Sequence, residues 1–395
     1  MRILFFSTDF PPHLGGVAAL SLEQSVNLAR LGHQVQVETI DFGPQPNVCQ
    51  TTVGLRINAH HIETGAVKRL VPLTKIAWKA SQQFFPDIFY ASTHRGFGLP
   101  MALSAWWRKR PYAIYVHGSE ILTELPSRAR RAALELMLRG ASVLTCNSNN
   151  TKRLLESHFD RLKRIEVIHP GIDQARLNAP LAKQHGAELR KQWLEAQGLP
   201  CETVVLLSMC RLSRQKGIGE VLRALTEITR RNMLTGDWLY VIAGSGPDEK
   251  EFQQYATQNL LGKRVFFLGR VPYEQTAAVL QSADVYVQPS QPLPGWLESF
   301  GISFVEAEFC GLPCIGTKFG GIPEAVQDGV TGILVEPGDL QALSGAIVAL
   351  VNNAERRRQM GQAARAFGAK FSWETHAQRL AEILEESCRR SVVRR

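Results

Sequence analysis

Val204-Val205-Leu206-Leu207-Ser208-Met209-Cys210-Arg211-Leu212-Ser213-Arg214-Gln215-Lys216-Gly217, with the stretch Gly219–Arg230 behind it, is the segment that decides the fold. Val204–Ser208 is apolar without alternation, the pattern of a strand buried on both faces. A loop ending in Gly and an amphipathic stretch complete a strand–loop–helix unit. The unit recurs in both directions. Apolar runs at Leu239–Ala243, Val265–Leu268, Val285–Gln288, Cys314–Thr317 and Ile333–Val335 follow it. Ile3–Ser7, Val35–Ile40, Ile88–Tyr90, Ala113–His117, Val143–Cys146 and Val167–Ile168 precede it. Helical stretches such as Ala19–Leu31 and Ala129–Arg139 lie between them. Strand–helix alternation of this kind predicts an α/β fold of parallel, doubly wound sheets.

The pattern runs twice, with six strands before residue 170 and six after 203. His169-Pro170-Gly171-Ile172-Asp173 and the polar stretch up to Gly198-Leu199-Pro200 read as a turn into a linker. Two Rossmann-like domains facing each other across a cleft are therefore expected, over 1–170 and 171–374. The length of 395 residues suits two domains, each large enough to bury its own core. Open sheets of this type bind ligands beyond the carboxyl ends of their strands, so the loops there are where chemistry belongs.

Hydrophobic residues make up 45% and charged residues 21%, which excludes a disordered or collagen-like chain. The seven cysteines, at 49, 146, 201, 210, 310, 314 and 388, are odd in number and form no Cys-x-x-Cys pair. That argues against a disulfide framework and a zinc site, and for a reducing compartment. Cys210, Cys310 and Cys314 read as small buried hydrophobes. No apolar run approaches a membrane span, and Met1–Ser7 is too short for a secretory signal, so a cytoplasmic location is expected.

The net charge is +9. Residues 1–170 hold 20 Lys and Arg against 12 Asp and Glu, so nearly all the excess lies in the first half. It clusters at Arg108-Lys109-Arg110, Arg128-Ala129-Arg130-Arg131 and Arg161-Leu162-Lys163-Arg164, and the tail adds Arg389, Arg390, Arg394 and Arg395. Such a face can meet an anionic membrane or an acidic acceptor, or can be solvated surface. No nucleic-acid-binding motif accompanies it, so a nucleic-acid partner is not expected.

Six strand-end segments can carry chemistry. Asp9-Phe10-Pro11-Pro12-His13-Leu14-Gly15-Gly16 brings a Gly pair to a helix start, where backbone amides can meet an anion. Tyr115-Val116-His117-Gly118 puts a His at a strand end. Arg211 and Lys216 stand five residues apart on one loop and can grip a diphosphate, Arg as a planar fork and Lys as a point charge. Gly244-Ser245-Gly246-Pro247 is a tight turn after a strand. Glu298-Ser299-Phe300-Gly301-Ile302-Ser303-Phe304-Val305-Glu306 sets two carboxylates eight positions apart, the second on a helix among apolar neighbours, where an unpaired charge is costly. The amides of Ser299–Gly301 form that helix's N-terminus. Thr317-Lys318-Phe319-Gly320-Gly321-Ile322-Pro323-Glu324 is a last Gly-rich loop.

Glu298 and Glu306 resemble the E-x7-E motif of retaining glycosyltransferases of family 4, which have the GT-B architecture. The Gly15-Gly16 loop, His117-Gly118, Pro170-Gly171-Ile172-Asp173, Arg211 with Lys216, Gly244–Pro247, Gly311-Leu312-Pro313 and Gly320–Glu324 agree in order, so the resemblance covers nearly the whole chain. It implies a nucleotide-diphosphate-sugar donor, GDP-mannose or a UDP-hexose, and a saccharide or lipid-linked acceptor. It implies retention of anomeric configuration, no metal and no cofactor. Arg211 and Lys216 would hold the diphosphate, aided by the amides of Gly15 and Gly16, and Glu306 the ribose. Glu298 and the backbone of Ser299, Phe300 and Gly301 would contact the donor sugar. His117 would bond a sugar hydroxyl, Val271 would contact the base through its backbone, and Gly244 would line the same region. Phe371-Ser372-Trp373-Glu374 resembles the family's end, which implies that a helix over about 375–395 returns to the first domain.

Ser299 departs from the Gly that many members carry there, and the loop Gln291–Leu297 is long and apolar, with Trp296 as a lid or sugar-stacking residue. Asp87, His94 and Arg95 are candidates for the acceptor side. A nucleotide-sugar epimerase and a non-catalytic nucleotide-sugar-binding protein are the alternatives. A dinucleotide-dependent oxidoreductase fits poorly, because the Gly-x-Gly-x-x-Gly fingerprint is missing.

Overall fold

Strand β1, Arg2–Phe6, buries Ile3 and Phe5 against one layer of helices and Leu4 and Phe6 against the other, all at 0% exposure. That two-sided burial is why the strands read as unbroken apolar runs. The computed structural model describes residues 1–13, 15–41, 43, 50–62, 69–259 and 261–393. They divide into two compact units, Met1–Gly171 with Trp373–Arg395, and Ile172–Ser372. Arg394 and Arg395 of the basic tail, and Cys49, lie outside the described residues.

The first unit continues with β2 (Gln34–Ile40), β3 (Leu55–His60), β4 (Ile88–Ala91), β5 (Tyr112–Val116), β6 (Val143–Cys146) and β7 (Ile165–Val167). They form one parallel sheet in the order β3-β2-β1-β4-β5-β6-β7. The sheet has seven strands, where the sequence pattern predicts six. β3 carries Arg56 and Asn58, pairs among the described strands with β2 alone and is mostly half-exposed, so the apolar run that would announce it is absent. Helix Trp373–Val393 closes one face of this unit, setting Leu380, Ile383 and Leu384 at 0% exposure against the layer of Ile3, Phe5 and Tyr90.

The second unit holds β8 (Val204–Met209), β9 (Trp238–Ala243), β10 (Val265–Gly269), β11 (Val285–Val287), β12 (Cys314–Thr317) and β13 (Gly332–Val335). Its parallel order is β10-β9-β8-β11-β12-β13. The segment expected to be a linker is instead helix Pro180–Gln197, with Trp193 and Leu194 buried in this unit's core. Pro180 opens it and Gly198, left-handed, closes it.

In both sheets the strand order reverses once. Helix Gly16–Arg30 after β1 and helix Gly98–Trp107 after β4 cover opposite faces. Helix Ile218–Arg230 after β8 and helix Ile302–Phe309 after β11 do the same in the second unit. The carboxyl ends of β1 with β4, and of β8 with β11, are therefore topological switch points, where the chain splays and a ligand can enter.

The described cysteines are free, and burial pushes the thiols of Cys210 and Cys310 up to about 12, as suits packing residues. A less expected buried group is Glu308, at 0% exposure. Thr331 Oγ1 donates to its Oε1 at 2.5 Å, and no described group bonds Oε2. Burial pushes this carboxyl up to about 8. Between the ordinary carboxylate range and that value the native state holds a proton that the unfolded chain has released. Stability then falls as pH rises through this window. Glu308→Gln is expected to gain in melting midpoint on the wild type between about pH 5 and 8. Melting curves that stay parallel across that range would contradict it.

Candidate active site

Lys216 ends the loop after β8 and Glu298 ends the loop after β11, so the two neighbouring strands at the second unit's switch point each deliver one charge. Lys216 Nζ lies 2.7 Å from Glu298 Oε2. Ser290 Oγ donates to the same oxygen at 3.0 Å and Gln288 Nε2 at 3.3 Å. Three donors on Oε2 hold the carboxylate in one orientation, and no described residue bonds Oε1, which is left for a ligand hydroxyl.

The two loops are fitted to each other. Gly217 takes φ +78°, and a Cβ there would collide with the Pro289 carbonyl oxygen. Gln291 N–H donates to the Gln215 carbonyl at 2.8 Å across the same seam. Only glycine meets both demands, the left-handed backbone and the close approach. Gly321 N–H donates to the Glu298 carbonyl at 2.8 Å, so the last Gly-rich loop supports the backbone of the first glutamate. Trp296 sits beside this pair, with the Lys216 ammonium 5.3 Å from its ring and Phe319 tilted against it at 5.7 Å.

Gly301 caps helix Ile302–Phe309 in a left-handed conformation, so the amides after Glu298 lead into the positive end of the helix as the sequence implies. The Phe300 side chain is in the core, against Phe371 at 5.8 Å, which leaves only backbone at that position for a ligand. Ser299 stands beside it, half-buried. The Arg211 side chain is exposed and has no partner among the described residues. Gly244 lies against the Cys210 carbonyl, where any Cβ would collide, so loop packing alone accounts for it. Val271 follows β10 and packs partly buried on the core.

Glu306 is not bonded to the Lys216–Glu298 pair. Its Oε1 accepts from Arg176 at 3.2 Å. Burial raises the Glu306 carboxyl, and Arg176 opposes the rise. Arg176 is a residue that sequence reasoning missed, because it lies in the segment read as a linker, 130 positions from its partner. Gln288 and Ser290 were also missed, although their place just after β11 marks them by the strand-end rule.

In the first unit, His117 follows β5. Its Nε2–H donates to the Ser92 carbonyl at 2.9 Å and its backbone N–H to Glu120 Oε1 at 2.6 Å. The first bond fixes the tautomer and leaves Nδ1 as an acceptor. Gly15 and Gly16 open helix Gly16–Arg30, with open space where a Cβ would stand on either. Asp87 stands before β4, at the amino end of the sheet, and its Oδ2 accepts from Arg2 N–H at 2.8 Å. It is a structural residue and drops out as an acceptor contact. His94 is buried 4.0 Å from Glu120, and Arg95 reaches Thr123 Oγ1 at 2.6 Å. Among the described residues, no group of three or more His, Cys, Asp or Glu is placed to hold a metal.

A lysine–carboxylate pair at a switch point, with an unpartnered arginine on the lysine's loop and a helix amino end after the glutamate, can take an anionic ligand that carries hydroxyls. Comparison with known proteins gives that class a family. Residues 14–176 match the profile of Glycosyltransferase Family 4, and residues 190–367 that of Glycosyl transferases group 1. The chain is 32% identical over 396 residues to the GDP-mannose-dependent monoacylated alpha-(1-6)-phosphatidylinositol monomannoside mannosyltransferase of Corynebacterium glutamicum, covering 98% of this chain and 99% of that one. It is 29% identical over 412 residues to the GDP-mannose-dependent alpha-(1-6)-phosphatidylinositol monomannoside mannosyltransferase of Mycolicibacterium smegmatis, covering 97% and 98%. The fold is shared with Anabaena HepE solved with UDP and glucose, at TM-score 0.78 and 23% identity over 98% of this chain and 100% of that one. The chain belongs to glycosyltransferase family 4 and is a glycosyltransferase of the GT-B architecture.

Proposed function

We propose that the enzyme transfers mannose from GDP-mannose to a lipid-linked or saccharide acceptor, retaining the anomeric configuration and requiring no metal. The observation that carries this reading is the Lys216–Glu298 pair, with Glu298 Oε1 left open and Arg211 exposed and unpartnered on the lysine's loop. The choice of GDP-mannose follows the names of the two full-length mannosyltransferase relatives. Lys216 and Arg211 take the charge of the leaving diphosphate, the work a divalent ion does elsewhere. Glu298 Oε1 accepts from a hydroxyl of the sugar and Glu306 from the ribose. The bond from C1 to the phosphate oxygen breaks, and the acceptor oxygen bonds C1 from the same face. The departing phosphate oxygen takes the acceptor's proton. Neither glutamate acts as a nucleophile, which separates this pair from the two carboxylates of a retaining glycosidase. His117 Nδ1 is an acceptor for a sugar hydroxyl.

The test is a thermal-shift series with GDP-mannose, UDP-glucose and ADP-glucose in EDTA, followed by turnover with lipid-extract acceptors. A midpoint rise with GDP-mannose alone is expected, since a ligand of the folded state stabilises by mass action. A shift only with UDP-glucose would replace the donor. A rise lost in EDTA would end the metal-free reading, and donor conversion without any acceptor would make the protein an epimerase.

We also propose reversible contact with an anionic membrane. No described helix is long and apolar enough to cross one. Helix Arg128–Gly140 follows the short helix Ser119–Glu124 and carries exposed Arg128, Arg130 and Arg131 in its first turn, which holds no acid, although Glu124 lies 3.8 Å from Arg130. Cations at the positive end of a helix destabilise it by about 0.3–1 kcal/mol each at the surface, so their placement favours an anionic partner. Phosphatidylcholine vesicles containing phosphatidylglycerol should bind the protein at low salt and release it at high salt. Replacing the three arginines by Gln should abolish flotation, and retained binding would locate the contact elsewhere.

A further inference from the structure

Arg176 joins two parts of the second unit that lie far apart in sequence. It sits on the short helix Gln174–Leu177, which Asp173 caps by accepting from Arg176 N–H at 3.0 Å. Gln281 Nε2 donates to the Leu177 carbonyl at 3.0 Å and pins the same turn. The guanidinium then makes three bonds. One amino group reaches Glu306 Oε1 at 3.2 Å. The other donates to the Tyr273 carbonyl at 3.1 Å and to Thr276 Oγ1 at 2.5 Å. Its plane also lies 4.0 Å from the centroid of the Tyr273 ring. Tyr273 follows Val271 by two residues, in the turn after β10.

We propose that Arg176 is a positioning residue for the nucleoside half of the donor. One guanidinium holds the Glu306 carboxylate and the Val271–Tyr273 segment in a fixed relation. This rests on the reading of Glu306 as the ribose ligand and of Val271 as the base contact. Ribose and base are covalently joined, so the groups that meet them must be correctly spaced before the nucleotide arrives. A planar fork with several donors can hold two partners at once, and a lysine ammonium cannot hold them at the same spacing. The pairing also opposes the upward push of burial on the Glu306 carboxyl, and Oε2, which no described residue bonds, is left as an acceptor for the ribose hydroxyls. The side chains of Arg176 and Glu306 are 15% and 19% exposed, so water does little to replace the contact. Nothing ties Arg176 to Lys216 or Arg211, which leaves the diphosphate outside its reach in this account.

The test compares GDP with 2′,3′-dideoxy-GDP, and UDP with its dideoxy analogue, on the wild type and Arg176→Met, with inorganic pyrophosphate as a control. For the nucleotide that binds, the wild type should prefer the ribose form by about tenfold or more, the worth of hydrogen bonds to a charged group. In Arg176→Met the preference should fall to within about twofold, with pyrophosphate affinity unchanged. A merely structural arginine would lower the melting midpoint and weaken all the ligands alike. A variant that keeps the wild-type preference overturns the proposal. A wild type with no preference overturns the ribose reading of Glu306, and this inference falls with it. If Arg176→Met does not fold, Arg176→Lys retains a cation without the fork. The same collapse of the ratio is then expected, and its persistence is the overturning result.

Discussion

Lys216→Met is expected to lower turnover by about 10²–10³-fold, the usual effect of removing one group that stabilises transition-state charge. It should also lower the melting midpoint. Lys216 is a partner of Glu298 within the protein and, in the proposed function, the cation for the leaving diphosphate, so the substitution would remove both functions. Glu298 would keep Ser290 and Gln288 as donors but lose its counter-charge. Breaking a buried pair from one side costs about 3–5 kcal/mol, and these side chains, at 21% and 12% exposure, should fall below that range. Turnover of GDP-mannose with an acceptor extract, read beside a melting curve, checks both halves. A destabilised variant with wild-type turnover would show that Lys216 only holds the loop together.

Arg211→Ala separates the same two roles from the other side. The Arg211 side chain is exposed and bonds nothing described in the protein, so its loss should leave stability within about 0.5 kcal/mol. Turnover should nevertheless fall by about 10²-fold, because a charge-assisted fork to the diphosphate disappears at the moment charge develops there. Arg211→Lys should recover part of the loss, keeping the charge but not the bidentate geometry. Unchanged turnover in Arg211→Ala would remove this residue from the site. Together the two variants distinguish a residue used by the fold and the ligand from one used by the ligand alone.

The reason these residues could be named from the sequence is visible in the strands that carry them. β8 and β11 are buried on both faces and so announce themselves as apolar runs, and the loops after them must contain the site if the sheet is doubly wound. Lys216 and Glu298 fall in those two loops and meet. β3 failed to announce itself because an edge strand shares its surface with solvent and needs no apolar run. Helix Pro180–Gln197 was hidden because its fully buried side chains are almost confined to Trp193 and Leu194, too few to set a helical period. Asp87 was misplaced for a different reason. Proximity to a strand says nothing about which end is meant, and the amino end carries pairing and not ligands. The bond from Arg176 to Glu306 spans β8 to β11 in sequence, and no local pattern encodes such a meeting.

The closing helix, Trp373–Val393, bears on how the protein is made. A ribosome releases the first unit's strands early, but Leu380, Ile383 and Leu384 complete the layer around Ile3, Phe5 and Tyr90 and are made only after the whole of the second unit. The second unit is uninterrupted over Ile172–Ser372 and has all its core residues by then. Domains fold as units during synthesis, at about 5–20 residues per second. The half of the molecule written first is thus the half finished last. For about one to two seconds after the second unit can close, the nascent first unit keeps one apolar wall uncovered, and it is there that a chaperone would find its substrate.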